Sequence, residues 1–344
     1  MDLLTSLYYI SAPTGQEFEM VNYIDAYLTG IGVSTYRDKS NNLYATKGVS
    51  ETYPCVIAHT DEVHKVKPAS FAVYNINGML IGIDDVKKEY VGIGADDKNG
   101  IWVALKCFER FDVMKAAFFV SEEIGCVGSE QADMAFFNDC RFVIQCDRRN
   151  GKDFITSISG VDLCSDLFVE DCNIEAFGYK ETTGLLTDVM TLKENGLGVS
   201  CVNISCGYYN PHQDTEYTNF NELNNCLEFV CTVILNCTNV YPHEYVCRYI
   251  RSHGLGKQTK RDYGYSYYDW DDGTYINSGL SGSEYTNQYY ELLEYLSDIC
   301  MDDDGEINYT VDEIYTFIGN EFPLLDYADF TSAFYDVYGT VPYQ

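Results

Sequence analysis

Apolar positions recur at three- and four-residue steps in QEFEMVNYIDAYLT (residues 16–29), where Phe18, Val21, Ile24 and Leu28 fall on one face and Gly30 follows. That spacing predicts an amphipathic helix with a breaker at its end. The pattern then shortens to strand-like runs: GVSTYR, NLYATKG and PCVIAHTD. A helix over 97–109 (DKNGIWVALKCFE), a strand in AAFFVSEE, a helix near 128–137 and a strand in RFVIQCD come next. Strands alternating with helices predict an α/β fold, a mixed and mostly parallel sheet sandwiched by helices. In such sheets ligands gather beyond the carboxyl ends of strands.

Four apolar runs here finish in chemically active residues. PCVIA leads to His59, Thr60 and Asp61; AAFFV to Ser121, Glu122 and Glu123; RFVIQC to Asp147; and VSCVNISCGYYNP to His212. Asp96 and Asp97 open the helix between the first two strands. A single strand ending in a carboxylate carries no information. Four of them delivering histidines and carboxylates to one edge predict a converging cluster.

The donor set then narrows the chemistry. Imidazole nitrogen and carboxylate oxygen together suit zinc-type divalent ions. Two histidines (His59, His212) and three carboxylates (Asp96, Glu123, Asp147) exceed what one tetrahedral ion takes. They suit two ions about 3.5–4 Å apart that share a carboxylate and a water. Three carboxylates and a bridging hydroxide also balance two dications. Zinc is the first expectation, with cobalt or manganese as alternatives. Glu122, beside the ligand Glu123, is then placed to act as general base. Asp61, two residues after His59, can accept the second N–H of that imidazole and fix its tautomer. Asp97 and Lys98 are expected to pair near the site.

These motifs carry a resemblance. ISAPTGQE, NLYATKG, AHTD, GIGADDKNG, SEEIGCVGS, CDRR and GYYNPHQDTEY, in this order over roughly residues 1–240, resemble the co-catalytic zinc exopeptidases. That family includes peptidase T, the aminoacylase and carboxypeptidase relatives and the single-domain zinc aminopeptidases. The resemblance assigns one metal to His59 and Asp147 and the other to Glu123 and His212, with Asp96 bridging and Glu122 as base. It also implies a cis peptide between Asp96 and Asp97. One departure stands out. Two-domain members insert a lid after the CDRR-type segment, whereas about forty residues separate Asp147 from Asp188 here. The chain thus resembles a lidless catalytic domain. The implied activity is hydrolysis of short peptides, an aminopeptidase first. A carboxypeptidase or N-acyl deacylase of the same fold is the alternative, with an N-acyl amino acid as substrate. A non-catalytic binding protein is a third reading, disfavoured by the complete ligand set. Arg148, Tyr209 and Asn210 are candidate substrate contacts. Arg148, with Arg149, would meet a substrate carboxylate. Gly207 is read evenly as a pocket former or a turn, Asp188 as a helix cap that can buttress the site, and His64, His243 and His253 as structural or surface residues.

Composition sets the limits. A net charge of -31 excludes nucleic acid, whose phosphates need a basic surface. No run reaches membrane-spanning length, and the first residues lack a secretory pattern, so a cytoplasmic location is expected. Fourteen cysteines without a C-x-x-C pair read as buried thiols rather than zinc knuckles. From Asp262 to Gln344 there is no Lys, Arg or His. Two regions follow: a catalytic domain over 1–255 and a small acidic, Tyr-rich, helical appendage over 256–344. In the appendage, Tyr289, Leu292, Leu293, Leu296 and Ile299 keep helical spacing, Thr310 and Glu313 form a capping box, and a third helical run falls at 327–337. DDDGEINY matches a calcium loop only at Asp302, Asp304, Gly305 and Ile307; Cys300 and Val311 at its ends cannot ligate, so a solvated acidic turn is the better reading.

Overall fold

The computed structural model describes residues 2–158, 160–247 and nine further positions between 292 and 333. The chain divides into two compact units, Met1–Val246 and Cys247–Gln344. In the second unit, Leu292 and Leu296 are helical and buried, as are Phe330 and Ala333, and Tyr315 meets Phe330 edge-on. The capping box, the DDDGEINY turn and the low-complexity stretch after Arg261 lie outside the described residues. No helix among the described residues is long and apolar enough to cross a membrane.

The first unit opens with helices α1 (Asp2–Tyr9) and α2 (Phe18–Gly30). Helix α2 forms where its spacing predicts, but its buried face is Met20, Val21, Ile24 and Leu28. Phe18, expected on that face, is 67% exposed, and Met20 takes its place in the buried stripe. Strands β1 (Ser34–Arg37), β2 (Leu43–Lys47) and β3 (Tyr53–His59) follow. A hairpin of β4 (Phe71–Ile76) and β5 (Met79–Asp84), joined by Asn77-Gly78, comes next, then β6 (Glu89–Tyr90). Both turn residues take positive φ, as a two-residue hairpin turn of this type requires.

Helix α3 (Ala95–Arg110) then leads to β7 (Met114–Phe119). The helix expected near 128–137 is split into α4 (Val127–Glu130) and a 3-10 turn, Met134–Phe137. The carboxylate of Asp133 breaks the run by accepting from the Ala135 N–H. After β8 (Cys140–Arg148) come β9 (Asp153–Ile158), β10 (Val161–Asp162), α5 (Asp166–Cys172) and β11 (Lys180–Gly184). Those last elements are the short segment between Asp147 and Asp188. Its strands extend the main sheet and build no separate lid among the described residues. The chain continues through α6 (Asp188–Glu194), β12 (Cys201–Ser205), β13 (Tyr208–Tyr209), β14 (Tyr217–Asn219) and α7 (Phe220–Asn236).

The main sheet runs β1-β2-β7-β3-β8-β12-β9-β10, with β11 on β9. Its centre is parallel: β3 lies between β7 and β8, and β8 pairs with β12. Every residue of β3 is buried, which is why YPCVIA reads as a continuous apolar run rather than an alternation. Helix α3 covers this centre with a buried face from Ile101 to Phe108. Register then fixes the level of each strand end. His59 sits beside Phe119, and Ile57 beside Gln145. His59 and Asp147, each two residues further on, therefore emerge at one level and on one face. A second, antiparallel sheet of β13, β14, β5 and β4 clamps both ends of the loop that carries His212.

Candidate metal centre

Two triads meet at Asp96. His59, Asp96 and Asp147 bring ligand-type atoms within 4.8 Å of one another, and so do Asp96, Glu123 and His212. The two oxygens of Asp96 face opposite ways. Oδ1 lies 3.0 Å from His59 Nε2, and Oδ2 lies 3.5 Å from His212 Nε2. His59 Nε2 is also 3.7 Å from Asp147 Oδ1, and His212 Nε2 is 3.2 Å from Glu123 Oε2. The side chain of His59 is 1% exposed and that of His212 is 35% exposed, so one triad is sealed and the other opens to solvent. All five expected ligand residues are in this cluster.

The electrostatics follow from the crowding. Burial opposes charge on Asp96, but hydrogen bonds from His212 and His59 hold its carboxyl well below the usual range. Burial, reinforced by Asp96, pushes Asp147 up to about 7. Burial also raises Glu123, although His212 works against the shift. Burial opposes charge on both imidazoles, yet the surrounding carboxylates outweigh it and raise His59 and His212 well above the ordinary value. Anionic oxygens packed this closely need protons or a cation between them.

Asp61 does more than face an imidazole. Its Oδ1 lies 3.4 Å from His59 Nδ1 and accepts the Glu122 N–H at 2.9 Å; its Oδ2 accepts the Glu123 N–H at 3.2 Å and the Thr14 hydroxyl at 2.9 Å. One carboxylate thus faces the His59 imidazole and holds the corner that carries the two glutamates. That corner begins at Ser121, whose φ of +56° is unusual for a residue with a Cβ. Its N–H and hydroxyl both donate to Glu17 Oε1. The ISAPTGQE segment therefore acts as a bracket for the glutamate corner through Thr14 and Glu17. Burial, with Asp147, Asp188 and Glu123, raises the Glu122 carboxyl well above its usual value against the opposing pull of His59. The Cys126 thiol donates to its Oε1 at 3.4 Å.

The peptide between Asp96 and Asp97 is cis. Asp97, however, makes no pair with Lys98. It accepts the His59 N–H (3.2 Å) and the Gly100 N–H (2.9 Å), while Lys98 reaches Glu62 Oε2 at 2.8 Å and the carbonyls of Ile10 and Ile93. Adjacent side chains leave a helix start in different directions, and that of Lys98 meets the buried carboxylate of Glu62. Glu62 also takes both oxygens to Lys67 and accepts the Ala12 N–H.

Asp147 is braced from behind. Its Oδ2 accepts from Gln145 Nε2 (2.9 Å) and the Thr187 hydroxyl (3.1 Å), and its Oδ1 lies 3.3 Å from the Tyr208 hydroxyl. Asp188 is fully buried at the start of α6 and receives Gln145 Nε2 at 3.3 Å. It buttresses that network rather than capping the helix by a side-chain bond. Burial pushes it up to about 6. Gly207, at φ +79°, makes a turn: its N–H donates to the Asn150 carbonyl, and its own carbonyl receives the Asn219 N–H. Arg148 Nε donates to Asp153 Oδ2 (3.1 Å), Tyr209 stacks on Tyr217 and donates to Glu222 Oε2 (2.7 Å), and Asn210 Nδ2 reaches the Thr215 carbonyl (3.4 Å).

No family model matches the sequence, and no curated protein matches it. Solved structures do match in fold. Aminopeptidase PepT from Bacillus cereus ATCC 10987 aligns with TM-score 0.55 and 14% identity, over 69% of this chain and 97% of that one. A tripeptidase from Staphylococcus aureus gives 0.54 and 12%, over 68% and 96%. An aminopeptidase from the archaeon Desulfurococcus kamchatkensis gives 0.51 and 16%, over 69% and 94%. At such identities the likeness establishes the fold, a mixed and mostly parallel α/β sheet with flanking helices.

Proposed function

We propose that this chain is a metal-dependent exopeptidase that hydrolyses short peptides from a free amino end. The carrying observation is the pair of triads sharing Asp96, with Glu122 alongside. The donor set fits divalent cations on two counts. If the His59 Nδ1–H points to Asp61, the Nε2 lone pair faces two carboxylate oxygens at 3.0 and 3.7 Å, which is favourable only with a positive charge between them. Glu123 Oε1 is buried without a partner in the protein, and an orphaned buried oxygen is costly. His59, Asp96 and Asp147 would hold one ion; Asp96, Glu123 and His212 would hold the other. Zinc suits these donors, and cobalt or manganese are the alternatives.

Two bound ions would supply Lewis-acid polarisation of a substrate carbonyl and of water. The chain's own residues supply the rest. Glu122, held at the backbone by Asp61, takes the proton of the attacking water on its carboxylate and returns it to the leaving amine. Desolvation raises the proton affinity of that carboxyl. The net charge of -31 favours the approach of a cationic substrate. The three solved structures of like fold are named as aminopeptidases and a tripeptidase, which supports the same reading. The N-acyl deacylase or carboxypeptidase alternative needs a cation for the substrate carboxylate, and Arg148 is already engaged by Asp153.

The test is metal content with hydrolysis of aminoacyl and N-acyl panels by wild type and Glu122→Gln. We expect about two zinc-type ions per chain and turnover of free-amine substrates. The variant should keep its metal and lose about 10²–10⁴-fold in kcat. Cleavage of N-acyl substrates alone would move the assignment to the deacylase, and metal-free or inert protein would end the catalytic reading.

A further inference from the structure

A second buried carboxylate lies directly behind the shared ligand. Glu216 is 1% exposed. It accepts three successive backbone N–H groups: Gly94 (2.6 Å) and Ala95 (3.0 Å) on Oε2, and Asp96 (3.2 Å) on Oε1. His64 Nε2 adds a fourth bond to Oε2 at 3.0 Å. These three amides start α3, where Asp96 and Asp97 depart from helical φ/ψ, so the helix itself supplies no acceptor for them. Glu216 also lies four residues after His212, on the loop clamped by β13 and β14. One side chain therefore grips the backbone of the shared ligand from the loop that carries a terminal ligand.

We infer that Glu216 is a positioning residue: through the Gly94–Asp96 amides, and steadied by His64, it sets the Asp96 carboxylate between the two triads. This rests on the two-metal reading of the site. The geometry explains why a carboxylate is needed. Three N–H groups and an imidazole converge on two oxygens. A carboxamide has one oxygen and an NH2 group, so in either orientation at least one amide meets a donor. Without the grip, the Asp96 turn is free to rotate its two oxygens out of the line between His59 Nε2 and His212 Nε2. Both ions depend on that line, whereas loss of Glu123 or Asp147 disturbs one triad only.

The experiment titrates manganese into metal-free wild type, Glu216→Gln and His64→Ala. Calorimetry gives affinity, and electron paramagnetic resonance gives magnetic coupling between the ions, which a change in stability alone would not alter. Wild type is expected to bind two ions as a coupled pair. Glu216→Gln should lose 10–100-fold in affinity, the usual range for residues that orient ligands, with weakened coupling. His64→Ala should move both readouts the same way by less, and it decides the matter if Glu216→Gln does not fold. Coupling and affinity equal to wild type in a folded Glu216→Gln, or no change in His64→Ala when only that variant folds, would overturn the positioning role. Wild type that binds no manganese or zinc would overturn the two-metal reading itself, and this role with it.

Discussion

Replacing Asp61 by asparagine tests how the glutamate corner is held. The substitution keeps shape and removes one acceptor. If the new amide oxygen takes the Oδ1 position, it still serves the Glu122 N–H and faces His59 Nδ1. The NH2 group then replaces Oδ2, where the Thr14 hydroxyl can rotate to accept from it, but the Glu123 N–H cannot. The reverse orientation sets NH2 against both the Glu122 N–H and the imidazole, which is worse. The cost is one backbone donor left facing a donor, about 1–3 kcal/mol, and the loss of charge assistance in the remaining bonds adds roughly 1 kcal/mol. We therefore expect Asp61→Asn to lower unfolding free energy by about 2–4 kcal/mol, read from urea titrations of metal-free protein. The displaced group is Glu123, so zinc affinity should fall about 10–100-fold, by calorimetry. A change under about 0.5 kcal/mol with wild-type zinc affinity would refute the reasoning, because it would mean the two glutamate amides do not depend on Asp61.

In the buried Glu62–Lys67–Lys98 group two amines share one carboxylate, and burial pushes Lys98 down to about 7, so Glu62→Gln, which takes the acceptor from both, should cost about 3–5 kcal/mol, more than Lys98→Met or Lys67→Met, each of which leaves one pair; equal losses in a urea series would contradict this. The two lysines hold the Glu62 carboxyl below its usual value even though burial works the other way. Its contribution to stability is therefore complete above the ordinary carboxylate pKa of about 4.5 and is lost as pH falls through the lowered folded value. Stability measured against pH should show a shallower acid slope in Glu62→Gln than in wild type. At Gly207, a Cβ would lie 2.7 Å from the Leu223 backbone nitrogen, in a φ of +79°. Gly207→Ala should cost about 2 kcal/mol or more and weaken metal binding through the His212 loop, and a neutral thermal shift with unchanged zinc affinity would count against the turn reading.

Much of this molecule is written locally in the chain. The continuous apolar run before His59 specifies a strand buried on both faces, and the residues that end RFVIQC and AAFFV arrive at the sheet edge because parallel strands share a direction. The convergence of His59, Glu123 and Asp147 was legible for that reason: strand ends and period fix where a side chain emerges; Asp96 and His212 join them from a helix start and a loop. The Asn77-Gly78 hairpin belongs to a second sheet that matters here because it clamps a loop far along the sequence. Partner choice among charged groups was not legible. Lys98 lies next to Asp97 in sequence yet pairs with Glu62, Asp61 serves two amides beyond its histidine, and Glu216 grips a helix start more than a hundred residues away. Hydrophobic periodicity sets the face and level of each element. Which buried carboxylate meets which donor depends on distances of a few tenths of an ångström between elements remote in sequence, and only the packed sheet, helices and loops decide those.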